Sequence, residues 1–128
     1  MEASLSELVA TVYERGATLR SDGRHLDLLG NLDPDLLSTL TERREELVTY
    51  LTWDQEEAHS LMRRAWVYVG ENYTEGTLEA LPEALEPSER KIGEAYYQQD
   101  MWTYRLAVRE WVVAWLTAIQ AKRKEVAA

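Results

Sequence analysis

The stretch ATLRSDGRHLDLL, residues 17–29, decides the fold of the N-terminal part of this chain. Two short alternating runs flank Asp22-Gly23. An Asp-Gly pair in that setting signals a two-residue hairpin, because a type I′ turn needs positive φ at both central positions. With Asp22 and Gly23 as the loop, Ser21 is expected to face Arg24, Arg20 His25, Leu19 Leu26, Thr18 Asp27 and Ala17 Leu28. Opposed residues share a face. Ala17, Leu19, Leu26 and Leu28 therefore predict one apolar face, and Thr18, Arg20, His25 and Asp27 a polar one. A lone hairpin is marginal in water, so neighbouring helices must cover the apolar side.

Those helices are legible on either side. Ser4-x-x-Glu7 has the form of a capping box, and Leu5, Leu8, Val9, Val12 and Tyr13 follow at the spacing of one helical face. Gly16 suits the left-handed residue that ends such a helix. Beyond the hairpin, Asp33-Pro34 reads as N-cap and first helical residue. Leu36, Leu37 and Leu40 form one short stripe; Leu47, Val48 and Leu51 form another. The expected order is helix, hairpin, helix, helix.

From Asp54 onward the pattern is helical throughout. Asp54-x-x-Glu57 is a second capping box, followed by the stripe Ala58, Leu61, Met62, Ala65, Trp66, Val69 and Tyr73. Residues 74–87 carry Gly76, Pro82 and Pro87 and read as a connector, with room for one helical turn at 77–81. A short helix marked by Ile92, Ala95 and Tyr96 comes next. Asp100 then caps a last helix lined by Met101, Tyr104, Val108, Trp111, Trp115 and Ile119. The expected class is α+β, mostly α. A domain at 1–52 is followed by an all-helical segment at 53–128, which stands apart or packs on the first as one unit.

Composition bounds the function. In 128 residues there are 23 acidic and 14 basic side chains and no cysteine. The surplus of nine negative charges argues against a phosphate-gripping surface, so no direct nucleic-acid binding is expected. Without cysteine there is no disulfide scaffold, zinc ribbon or thiol chemistry, which suits the cytoplasm. No basic, apolar signal segment opens the chain and no apolar run reaches membrane-spanning length, so no membrane role is expected. Residues 1–53 hold ten acids and five bases, and residues 54–128 thirteen and nine. The acid is densest in the connector, where Glu71, Glu75, Glu79, Glu83, Glu86 and Glu89 form a ladder.

Catalytic signals are few. Glu56-x-x-His59 has the spacing of a di-metal carboxylate ligand pair, but such sites need a second copy of the motif, and the only other histidine is His25 on the hairpin. No metal site, cofactor or catalytic residue is expected, and none of the nucleophile, zinc or phosphate-loop strings occurs. The chain reads as a non-enzyme. Five Trp and seven Tyr occur with no Phe. Trp66, Trp111 and Trp115 fall on apolar stripes and predict core packing, whereas Trp53 and Trp102 fall off them and predict an interface.

The stretch LSELVATVYERGATLRSDGRHLDLLGNLDPDLLSTLTERREELVTYL, residues 4–51, resembles the TubC-type N-terminal docking domain of non-ribosomal peptide synthetases. The landmarks are the leucine-rich helix ending at Arg15-Gly16, the Leu19-to-Leu26 hairpin, the Leu-Asp-Pro entry and the closing Leu47–Leu51 helix. The resemblance implies a hairpin that captures an acidic C-terminal tail as an added strand. By that resemblance Arg20, Arg24 and His25 would greet the tail, and Leu26 and Leu28 would lie against the domain's own helices. Asp27 departs from the pattern, standing where a basic residue is usual.

The leading expectation is a non-catalytic docking module that binds a partner along the hairpin edge, through Thr18, Arg20, Arg24, His25 and Asp27, with Trp53 and Trp102 in support. Proline at Thr18 or Asp27 is expected to break a ladder and abolish binding. The alternative is a small acidic inhibitor of the phage or mobile-element kind. There the strip of Glu71, Glu75, Glu79, Glu83 and Glu86 would mimic a nucleic-acid backbone in a basic groove of another protein. Homodimer formation fits either reading.

Overall fold

The structure, a computed structural model, describes residues 4–72 and 81–127. It is mostly α with one antiparallel hairpin: α1 Leu5–Glu14, β1 Thr18–Ser21, β2 Leu26–Leu29, α2 Pro34–Glu42, α3 Arg44–Leu51, α4 Gln55–Glu71, α5 Leu81–Gln98 and α6 Met101–Ala127. The chain divides into two compact units, Met1–Trp53 and Asp54–Ala128.

In the first unit the local signals operate as the side chains dictate. The Ser4 hydroxyl accepts the Glu7 N–H at 3.1 Å and caps α1. Gly16, at φ +81°, turns the chain out of α1 into β1. Pro34 occupies the first helical turn of α2 after Asp33. Leu8, Val9, Val12, Ala17, Leu19, Leu40, Leu47 and Leu51 are buried. β1 packs against α1 and α3, and α3 also meets β2.

The hairpin corrects the expected register. Thr18 pairs with Leu29, Leu19 with Leu28, Arg20 with Asp27 and Ser21 with Leu26. The two loop residues are therefore Gly23 and Arg24, flanked by Asp22 and His25, whose backbones are joined by Asp22 N–H to His25 C=O at 3.3 Å. The cause is the Asp22 side chain. Its Oδ1 accepts the backbone N–H of Arg24 at 2.9 Å and of His25 at 2.7 Å, which makes Asp22 an anchor and not a central turn residue. Gly23 has φ +99° and Arg24 does not have positive φ, the demand of a type II′ turn rather than I′. The partner of each strand residue moves by two positions, so every side chain keeps its face. Leu19 is buried, Leu26 and Leu28 are half-buried, and Thr18, Arg20, His25 and Asp27 are exposed.

In the second unit, Asp54 Oδ1 accepts the Glu57 N–H at 3.1 Å and starts α4. Both α4 and α5 pack on α6. The connector expected to extend through residue 87 gives way to helix at Leu81, and α5 is 18 residues long with Pro87 inside it. Proline removes one intrahelical bond there. The burial of Leu85, Ser88 and Ala95 on the same helix offsets that loss, with the Ser88 hydroxyl donating to Leu85 C=O at 3.0 Å. A residue in the left-handed region, Gln99 at φ +55°, joins α5 to α6.

Tryptophan placement also differs from expectation. Trp111 and Trp115 are buried, but Trp66 is 55% exposed, its ring edge-on to Trp111 at 4.9 Å and to Trp115 at 6.3 Å. It lies at the margin of the α4 stripe, one position beyond Ala65, so the two α6 indoles shelter one side of the ring and leave the other in solvent. Trp102, expected at an interface, is 4% exposed.

Candidate functional site

The alternation of the ladder determines which backbone groups of the hairpin remain open. In an antiparallel pair, residues that exchange hydrogen bonds alternate with residues whose N–H and C=O point away from the partner strand. The bond from Asp22 to His25 makes that pair a bonded one, so Arg20–Asp27 and Thr18–Leu29 are bonded as well. Leu19 and Ser21 then point outward from β1, and Leu26 and Leu28 point outward from β2. On the β1 side two groups are taken: the Tyr13 hydroxyl donates to Leu19 C=O at 3.2 Å, and just before the strand Ala17 N–H donates to Val12 C=O at 3.3 Å. On the β2 side no hydrogen-bond partner for the main-chain groups of Leu26 or Leu28 is found among the described residues. Among the described residues the β1 edge is thus partly covered from α1, and the β2 edge is open.

Beneath the open edge runs a groove of about 170 Å³ lined by Leu19, Leu26, Leu28, Leu37, Leu40, Thr41 and Arg44. Of its apolar lining, Leu37 is 41% exposed. The far end of β2 is tight. A Cβ on Gly30 would meet the Cα and Cβ of Ala17 at 3.0 Å, and Gly30 has φ +112°, so only glycine allows β2 to leave the hairpin this close to β1.

At the turn end the surface is polar and charged. Arg44 Nη2 donates to the Arg24 C=O at 3.4 Å. The His25 ring lies 3.3 Å from the Asp22 carboxylate. The backbone N–H of His25, then that of Arg24, then the His25 ring hold the Asp22 carboxyl at about 2, below its usual 3.8. Asp22 is thus ionised across the ordinary pH range and committed to the turn.

The expected site residues fall into three groups. Arg24, His25 and Asp27 lie on β2 or its turn, beside the open edge, and are exposed. Thr18 and Arg20 are exposed on the polar face of β1, one strand further away. Trp53 is half-buried where the first unit ends, and buried Trp102 presents no surface. Leu37, Leu40 and Arg44 were not singled out from sequence as site residues; the leucines read as ordinary core stripe, and Arg44 is linked to the turn only by a contact 20 residues away.

The acidic ladder is only partly placed. Glu75 and Glu79 lie outside the described residues; Glu71, Glu83, Glu86 and Glu89 are exposed. Glu86 pairs with Arg90, and Glu89 accepts the Trp111 Nε1–H at 3.4 Å. Two of those carboxylates therefore serve helix and core contacts within their own unit.

His59 is exposed, and its Nε2 lies 3.1 Å from Gln55 Nε2 and 3.2 Å from the Tyr96 hydroxyl. Gln55 also reaches that hydroxyl. Tyr104 below it donates to Ala58 C=O at 2.9 Å, and burial, then the neighbouring Tyr96, pushes its phenol above the usual 10. Among the described residues no three His, Asp or Glu side chains converge as metal ligands, and no helix is long and apolar enough to cross a membrane. No protein-family model, curated protein or solved structure matches this chain.

Proposed function

We propose that the first unit is a docking module of the TubC type, acting without catalysis in the cytoplasm, and that it captures an extended segment of a partner protein along β2. The observation that carries this reading is the open backbone of Leu26 and Leu28 directly above the leucine groove. A strand added there would gain main-chain hydrogen bonds from the edge and side-chain burial from the groove, the two components of β-augmentation. The order helix, hairpin, helix, helix supports the same reading.

The ladder alternation also selects the right perturbation. Proline at Thr18 or Asp27 would remove a bond that holds the hairpin together, and so would unfold it rather than block a partner. Leu28→Pro instead removes an N–H that faces the open edge. Panning the 128-residue chain against a displayed library of extended peptides, with the Leu28→Pro variant as counter-target, tests the proposal. Peptides that bind the native chain and lose the variant are expected. Peptides that bind both equally, or no binders at all, would overturn it.

A further inference from the structure

We propose that Asp27 is the residue that bars a second copy of this chain from the β2 edge. The inference rests on the open backbone of Leu26 and Leu28 and not on the docking reading. β2 is the run Leu26-Asp27-Leu28-Leu29, one charge among three leucines. An edge strand with unpaired main-chain groups and apolar side chains is a template for its own kind, and a charge on the strand is a device that deters such pairing.

The ladder specifies which self-pairing is on offer. Two copies that meet edge to edge and close as a dimer are related by a two-fold axis, so their β2 strands run antiparallel. The open groups of Leu26 and Leu28 must then stand opposite open groups of the second copy. A register centred on Leu26 sets Leu28 against Arg24, whose C=O already accepts from Arg44 Nη2 at 3.4 Å. A register centred on Leu28 sets Leu26 against Gly30, which lies beyond the end of β2 at φ +112°, outside extended backbone. The register centred on Asp27 sets Leu26 against Leu28 on both sides of the axis. It alone uses every open group of both strands, and it brings the half-buried leucines of the two copies together on the groove side.

That fullest register has Asp27 facing itself. The two form a pair without hydrogen bonds, whose Cα atoms approach to about 4.5 Å and whose side chains come closest. Asp27 is exposed and among the described residues forms no ion pair. The cations of the same face do not come between the two carboxylates. Arg20 stands opposite Asp27 on β1, on the side away from the edge, and the His25 ring lies 3.3 Å from the Asp22 carboxylate. Like charges directly opposed across a strand pair are destabilising. The register that offers the most bonds is therefore the one that Asp27 penalises, and the edge is kept for an occupant other than this chain.

The test uses the full chain in three forms: native, Asp27→Asn and Asp27→Lys. Sedimentation velocity over a concentration series measures the association of each form alone and of native mixed with Asp27→Lys. The mixture should associate about three- to thirty-fold more tightly than the native chain alone, because a repelling pair becomes an attracting one. Asp27→Asn should fall between, Asp27→Lys alone should match the native chain, and added salt should narrow the differences. With the native chain isotope-labelled in the mixture, the amides of Leu26 and Leu28 should shift and those of Asp27 and Leu29 should hold. Leu28→Pro in both partners should remove the gain. Circular dichroism checks each fold; Lys at this position faces Arg20 in its own hairpin, and the Asn variant, which adds no charge, keeps the test decisive if the Lys variant unfolds. A mixture no tighter than the native chain, or native and Asp27→Asn chains that associate equally, would overturn the proposal. So would a gain that survives Leu28→Pro, or Asp27→Lys alone associating as strongly as the mixture. Failure of the peptide panning bears on the docking reading and leaves this assignment standing.

Discussion

Proline substitution at Leu28 and at Asp27, adjacent residues of one strand, separates an open edge from a closed one without any partner. The Leu28 N–H points away from β1, so Leu28→Pro breaks no ladder bond. Its cost is the proline φ restriction and part of the groove contact of a half-buried leucine, together about 1 kcal/mol. The residue before a proline is pushed toward extended backbone, which Asp27 already adopts as part of β2. Asp27→Pro, in contrast, removes the bond to Arg20 and leaves a ladder carbonyl without its donor, at a cost of about 2–4 kcal/mol. A difference of about 2 kcal/mol is roughly a 30-fold ratio of unfolding constants. Urea unfolding followed by circular dichroism measures it, with both variants compared against the native chain. Amide hydrogen exchange gives the same answer residue by residue: Asp27 and Leu29 should be protected and Leu26 and Leu28 should exchange near the rate of free peptide. Equal destabilisation by the two prolines, or strong protection at Leu28, would refute the assignment of β2 as an open edge.

Three further expectations concern the elements that hold this edge in place. Gly30→Ala should destabilise by about 2–4 kcal/mol in urea unfolding, since it combines a positive-φ penalty with a 3.0 Å approach to Ala17; Gly16→Ala, at positive φ but in open space, should cost only about 1–2 kcal/mol. The Asp22 carboxyl, lowered from 3.8 to about 2, stabilises the hairpin at all pH above 3.8, and that contribution should disappear as pH falls through 2. Carboxyl carbon shifts in an acid titration check this, and Asp22→Ala should abolish the transition. Trp111→Ala should cost about 3–5 kcal/mol, because the indole is 1% exposed among core residues, while Trp66→Ala should cost clearly less, its ring being half in solvent; thermal melts of the two variants decide.

Much of this fold is local and therefore legible along the chain. Ser4 and Asp54 accept the backbone N–H three residues on because a short oxygen-bearing side chain at a helix start can do little else, and that spacing is written in the order of residues. The Asp-Gly flanked by alternating runs specified a hairpin and the inward face of Leu19, Leu26 and Leu28 by the period of two alone. The tertiary structure decided the rest. Register depended on whether Asp22 sits inside the turn or anchors it, and a shift of two positions leaves the alternation untouched, so no pattern along the chain distinguishes the two. Which edge stays open depended on Tyr13 reaching Leu19 across the α1–β1 corner, and the charge at the end of the groove depended on Arg44 reaching a carbonyl 20 residues away. The exchange of roles between Trp66 and Trp102 has the same origin. Periodicity ranks residues around one helix axis, but burial depends on how far the neighbouring helices reach around it, and that distance belongs to the packing of α4, α5 and α6 and to no single one of them.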